Sequence, residues 1–210
     1  MRIRKSWIIG GVAVALLVVV VWGVRTLREP PAFDPDAMAR SEAIMWRAYY
    51  DGNRVRLALE TVAMLRRNYG LSARDAVIVA NKLAAAAVAF RETREDYERL
   101  VLPDLVDAYT HIKHAIHAPF DPEAAARAEL AWWKARRIPE QRSAEEVGSR
   151  ITALYEIQYS YSHPAFAEAG LYRARAARLR DQGGRDADWV EVERLLRESY
   201  HHLARGLAKR

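Results

Sequence analysis

Two glutamates occupy positions where the helical pattern is otherwise apolar. Plotted at about 100° per residue, Met38, Ala39, Met45, Trp46 and Tyr49 share one arc with Glu42 at its centre. Ala125, Ala126, Leu130, Trp132 and Trp133 form a second arc centred on Glu129, while Arg127 and Lys134 point the other way. The two stretches align as EAIMWRAYY from Glu42 and ELAWWKARR from Glu129, each with Glu, a Trp four residues on, a base and then Ala. A carboxylate carried into a core costs several kcal/mol unless it is paired, metal-bound or protonated.

Three chemistries satisfy that requirement. The first is an interhelical network, in which Arg136, two turns beyond Glu129, Tyr49 and the indole N–H groups of Trp46 and Trp133 hold the carboxylates. These six residues, Glu42, Trp46, Tyr49, Glu129, Trp133 and Arg136, also line the one place where an aromatic cofactor cavity would fit. The second is a metal: di-iron and di-manganese bundles take a Glu from each of two helices and a Glu-x-x-His from each of two others. Only Glu198 to His201 has that spacing, and it lies opposite the apolar stripe of Trp189, Leu196, Tyr200, Leu203 and Leu207. The third is acid–base catalysis by a glutamate whose pKa an apolar surround raises, yet no nucleophile is placed beside either residue.

A second constellation lies on a helix ending at Ile116, where Asp104, Asp107, His111 and His114 make one stripe. Asp107 and His111, four apart, have the spacing of a transition-metal chelate. Val101, Leu105, Ala108, Ile112 and Ile116 take the opposite, core-facing side, which turns the stripe toward water. Arg173, Arg175, Arg178 and Arg180 scatter around their helix axis and imply ordinary ion pairs with Glu168 and Asp181 rather than a lipid-binding patch. Phosphate-binding Gly-rich loops, haem attachment sites, nucleophile elbows and zinc-protease motifs do not occur. No cofactor is therefore expected; a transition metal is the one species that Glu42, Glu129, Asp107, His111 and His114 would admit.

These residues must be positioned by helices, because punctuation for helices recurs along the chain and no strand pattern occurs. Asp34-Pro35 opens a first helix to about Tyr50, and Asp51-Gly52-Asn53 turns into a second that ends at Gly70. Ser72 with Asp75 opens a third, whose Ala-rich, nearly all-round apolar surface suits the central helix of a bundle. A fourth runs from near Arg94 to Ile116, with Pro103 kinking it or opening its second part. Asp121-Pro122-Glu123 opens a fifth to Arg137. Ser143 caps a sixth, Pro164 opens a seventh ending near Gly183-Gly184, and Asp186 caps an eighth that reaches the C-terminus. The reading is all-α, with seven or eight helices in a bundle over residues 35–210.

Ahead of the bundle, Trp7 to Val24 is an eighteen-residue uncharged run, WIIGGVAVALLVVVVWGV, close to the ~20 residues that cross a bilayer. Trp7 and Trp22 stand at interface positions. Arg2, Arg4 and Lys5 outweigh Arg25 and Arg28, which orients the N-terminus to the cytoplasm. A cleavage site near Trp22-Gly23 lacks the small residue at −3, so the segment reads as a retained anchor over 1–29, followed by a linker over 30–34. The formal charge of +6 and pI of 9.7 mostly report the flanks of this segment. Residues 1–30 hold five bases and one acid, leaving a net of +2 on the remaining 180, which is no footprint for nucleic acid. The absence of Cys fits an exported domain without a disulfide framework.

The runs MWRAYYDG, ELAWW, YRARAARLRD and ADWVEVERLLRESY resemble a family of uncharacterised bacterial, single-pass, membrane-anchored, all-helical proteins. The resemblance spans most of the region after the anchor and implies a bacterial source; it brings no reaction, ligand or partner. Anchor, neutral domain and missing catalytic motifs together point to an inner-membrane protein with an interaction, scaffold or assembly module in the periplasm. Its partners are the lipid bilayer, through Trp7 to Val24, and a protein in or at the membrane. The alternative is a metal- or cofactor-binding bundle of the ferritin-like oxidoreductase type built on Glu42 and Glu129. A helical-repeat assembly factor, which would form an open concave array, is a third.

Overall fold

The helix starts follow directly from capping chemistry. A computed structural model describes residues 33–208. Asp34 accepts hydrogen bonds from the amides of Asp36 and Ala37 and is followed by Pro35, opening α1 (Pro35–Tyr50). Asn53 caps α2 (Arg54–Tyr69), which ends on Gly70 with φ of 67°, a left-handed conformation that glycine adopts freely. Ser72 caps α3 (Ala73–Glu92). The helix expected from Arg94 is two: a single turn, α4 (Tyr97–Leu100), and α5 (Leu102–Ile116), in which Pro103 occupies the first turn and so opens the second piece. Asp121 and Pro122 open α6 (Pro122–Ala135). A 3₁₀ turn over Pro139–Gln141 leads to Ser143, the cap of α7 (Ala144–Tyr159).

The seventh start is capped by an imidazole: His163 Nδ1 accepts from Ala165 N at 3.1 Å ahead of α8 (Pro164–Gly183). Asp186, expected to cap the last helix, sits in a second 3₁₀ turn over Gly184–Asp186; the cap of α9 (Trp189–Leu207) is Asp188, whose side chain accepts from Glu191 N. All regular structure among the described residues is helical. The anchor expected over 1–29, and all of the expected 30–34 linker except Phe33 and Asp34, lie outside the described residues. Within them, no helix is long and apolar enough to cross a membrane.

Each long helix packs on its neighbours in sequence, with α3 passing over the short α4 to α5, and α9 returns to pack on α1. The helices thus form a closed circuit, replacing the open array of a repeat protein. Closure changes the expectation for α3, which is one member of the circuit rather than its centre. It packs on α5 and α2, burying Ala76, Val79 and Ala86, sets buried Phe90 against Tyr97 of α4 and Trp133 of α6, and leaves Ala84, Ala85, Ala87 and Val88 exposed. The core collects one apolar stripe from every long helix, including Met38, Leu65, Val79, Leu105, Ala126, Leu154, Phe166 and Leu196.

One joint of the circuit is made by backbone. At the α7–α8 crossing a Cβ on Gly170 would stand 2.5 Å from the carbonyl oxygen of Gly148 and 2.5 Å from Thr152 Oγ1. Two helices can approach this closely only where side chains are missing. Thr152 spans the contact, its hydroxyl lying 2.9 Å from Gly148 O and 3.2 Å from Phe166 O.

Candidate functional site

Both glutamates project into the centre of the circuit, in agreement with their place in the apolar arcs, and both are fully engaged there. Glu42 on α1 is completely buried, with 0% exposure. Arg173 on α8 donates to its Oε1 from Nη2 at 2.6 Å and from Nε at 3.2 Å, while Tyr200 on α9 donates to Oε2 at 2.7 Å. The guanidinium is itself largely enclosed, at 17% side-chain exposure. Burial acts to lower its pKa, and the adjoining Glu42 carboxylate overcomes that, holding Arg173 well above the ordinary arginine value. The Tyr200 phenol is pushed well above its usual value by burial and then by Glu42.

Glu129 on α6 is held by neutral donors instead. Trp133 Nε1, one turn further along, donates to Oε1 at 2.8 Å, and the Tyr109 hydroxyl on α5 donates to Oε2 at 3.0 Å. Gln158 on α7 then donates from Nε2 to the hydroxyls of Tyr109 and Tyr69, each at 3.1 Å. Burial followed by the Glu129 charge raises the pKa of both Tyr69 and Tyr109. Tyr69 also feels the Arg173 charge, so the two networks face each other across the centre. Every long helix except α3 contributes a polar group to this layer. The Tyr155 hydroxyl is enclosed with it, beside Arg173 and Ser199.

The carboxylates are thus satisfied by an arginine, two phenols and an indole, and the interhelical network is the chemistry the geometry supports. Its members differ from those expected. Tyr49 sits in the last turn of α1, where burial of that arc ends; it is 46% exposed and packs edge-on against Tyr50. Arg136 follows the last residue of α6 and so leaves the helical face of Glu129: its guanidinium stands 5.0 Å from the Trp132 ring centroid and 3.7 Å from Asp181. Trp46 is buried, but the group over its ring is Arg180, at 4.0 Å.

Asp107 and His111 turn away from each other toward the flank of α3. Lys82 reaches Asp107 at 2.7 Å, and His111 Nε2 lies 3.0 Å from Asp75 Oδ1. The stripe is partly covered by α3 rather than wholly solvated, and His114 remains exposed. Among the described residues no three His, Asp or Glu side chains come together as a metal would need.

Arg173 and Gln158 were not expected at the centre, and Tyr200, although on an apolar stripe, was not expected as the partner of Glu42, nor Tyr109 as that of Glu129; for Arg173 and Gln158 the signal was present. Phe166, Ala169, Arg173, Ala177 and Arg180 recur at three and four residues, which is one face of a helix; so do Ile151, Leu154, Tyr155 and Gln158. The four arginines of α8 form no single patch, as expected, but two of them turn inward: Arg173 and Arg180 share the buried stripe, and Arg175 and Arg178 point outward. Of the ion pairs expected there, Arg180 with Asp181 forms, at 2.9 Å. No family model matches the chain, and no curated protein or solved structure matches it either, so the family resemblance rests on its sequence runs alone.

Proposed function

We propose that this chain is a bacterial inner-membrane protein, anchored through Trp7 to Val24 with its N-terminus cytoplasmic, whose helical domain is a protein-interaction module on the periplasmic side. The observation that carries the interaction reading is the outer face of α3. Ala84, Ala85 and Val88, the last 44% exposed, follow one another at helical spacing, with exposed Asn81 one turn ahead of them and Val77 beyond it partly packed on the core. Arg74 and Arg91 stand at the ends of the stripe. Small apolar side chains let a partner helix approach closely, and exposed apolar side chains grouped on one helix face are what an interaction site offers. The uncharged run bounded by Trp7 and Trp22, with bases concentrated ahead of it, supports the placement in the membrane.

The chain has no cysteine, so each introduced thiol is unique. Full-length Ala84→Cys and Val88→Cys, made in bacterial membranes and treated with a thiol-directed cross-linker, are expected to give one discrete adduct, with the attached protein identified by mass spectrometry. Arg127→Cys, on an exposed surface of α6, serves as control. No adduct from α3, or the same adduct from α6, would refute the interaction reading. Labelling of Ala84→Cys by a membrane-impermeant maleimide on intact spheroplasts tests the placement; labelling only after lysis would refute it.

A further inference from the structure

Three arginines converge on a cleft where α6 ends and α7 and α8 meet. Its volume is about 590 Å³, and Arg136, Arg142 and Arg178 reach into it from the end of α6, the start of α7 and the outer side of α8. That volume falls within the range of small-molecule sites, about 300–1,000 Å³. Buried Val147 and Ala174 form an apolar floor, and Ser143 brings the N-terminal end of the sixteen-residue α7 to the rim.

Among the described residues the charge lining the cleft is not balanced. Asp181 is the only carboxylate that lines it among the described residues. That carboxylate is met at 2.9 Å by Arg180, which does not line the cleft, and accepts a hydrogen bond from the Tyr50 hydroxyl at 3.0 Å. Arg136 approaches it only to 3.7 Å, and the Arg136 Nε is enclosed without a hydrogen-bond partner. Arg142 and Arg178 make no ion pair among the described residues. Some surface arginines answer carboxylates one turn away, as in Arg127 with Glu123 or Arg150 with Glu146, and others, such as Arg40 and Arg74, stand singly among the described residues; what sets Arg142 and Arg178 apart is that they share one cleft with Arg136.

We propose that this cleft binds a small molecule through a phosphoryl group. Three guanidinium forks beside a helix N-terminus match a multiply charged, tetrahedral oxyanion, which each guanidinium can engage through two N–H groups. A single carboxylate neutralises only one of the three. The apolar floor receives the carbon portion of the ligand.

The test uses the full-length protein in nanodiscs of neutral phosphatidylcholine, titrated calorimetrically with pyrophosphate, glycerol 3-phosphate and succinate. Saturable binding of the two phosphoryl compounds is expected, at least tenfold weaker in Arg142→Gln/Arg178→Gln and unchanged in Arg127→Gln. In the wild type, pyrophosphate should also protect Arg142 and Arg178 from phenylglyoxal, a readout that needs no variant to fold. Absence of saturable binding, equal binding by the double variant, or succinate binding as tightly as pyrophosphate would overturn the proposal. Repeating the titration in nanodiscs containing phosphatidic acid identifies the source of the group. Loss of pyrophosphate binding there assigns it to a lipid headgroup, and retention assigns it to a soluble molecule; either upholds the phosphoryl site.

Discussion

Replacing Glu42 by Gln removes one charge from the centre of the circuit and leaves the other. The wild-type carboxylate takes two hydrogen bonds from Arg173 and one from Tyr200 inside a fully buried site. The substituted amide keeps one acceptor oxygen and sets an NH₂ group against a guanidinium, so a cation enclosed to 17% exposure loses its counter-ion. Breaking a buried pair from one side costs about 3–5 kcal/mol. The remaining exposure of Arg173 lets water recover part of that, which places Glu42→Gln at about 3 kcal/mol. For a domain of this size that lowers the melting temperature by about 6–12 °C. Replacing the whole constellation is different, because apolar groups of similar shape leave no orphaned charge or hydroxyl. Glu42→Leu/Arg173→Met/Tyr200→Phe should therefore melt closer to wild type than Glu42→Gln does. Thermal and urea unfolding of full-length protein, followed by far-ultraviolet circular dichroism, decides. A Glu42→Gln variant within about 1 kcal/mol of wild type, or a triple variant that loses more than the single one, would refute the strut.

Further outcomes follow from the same packing. Burial is the leading cause of raised pKa values at Tyr50, Tyr69, Tyr109, Tyr155, Tyr159 and Tyr200, with Tyr50 at about 12. A phenol whose folded pKa exceeds its unfolded value of about 10 stabilises the fold fully below pH ~10, and that stability is lost as pH rises through the folded pKa. Ultraviolet titration of phenolate should thus show these six of the ten tyrosines ionising late or only on unfolding; all ten ionising together near pH 10 in folded protein would contradict it. Gly170→Ala should cost about 1–3 kcal/mol in a urea melt by forcing α7 and α8 apart, and an Ala variant as stable as wild type would show the helices free to separate. Asp188→Ala should cost about 1 kcal/mol through the lost N-cap of α9. The matching Asp186→Ala change should have no effect on the same melt, since Asp188 and not Asp186 holds the cap.

How much of this was legible beforehand depended on range along the chain. Caps and prolines act within four residues, so Asp34, Ser72, Asp121, Ser143 and Pro164 marked their helices correctly. Pro103 could be placed as a break without revealing which kind. The inward position of Glu42, buried, and of Glu129, half-buried, followed from periodicity, and so did the indole of Trp133, which sits one turn from its carboxylate. The other partners come from distant helices: Arg173 is 131 residues from Glu42, and Tyr109 is 20 from Glu129. Periodicity places a side chain on a face and says nothing about which helix that face meets. The misreading of α3 had the same origin, since an apolar surface suits the middle of a bundle equally well as a docking edge. The inward turn of Arg173 and Arg180 was readable and missed, because their charge obscured the three-and-four spacing these two share with Phe166 and Ala169.

The closed circuit also has a meaning in time. Glu42 belongs to the first helix of the bundle to be synthesised, yet its cation and its phenol arrive 131 and 158 residues later. Until α8 and α9 exist, burying that carboxylate carries its full desolvation cost, so α1 cannot settle into its final place. The helix made first is therefore completed last, and a chain cut short before Tyr200 leaves the opening helix, and the core it would cover, waiting for a partner that never comes.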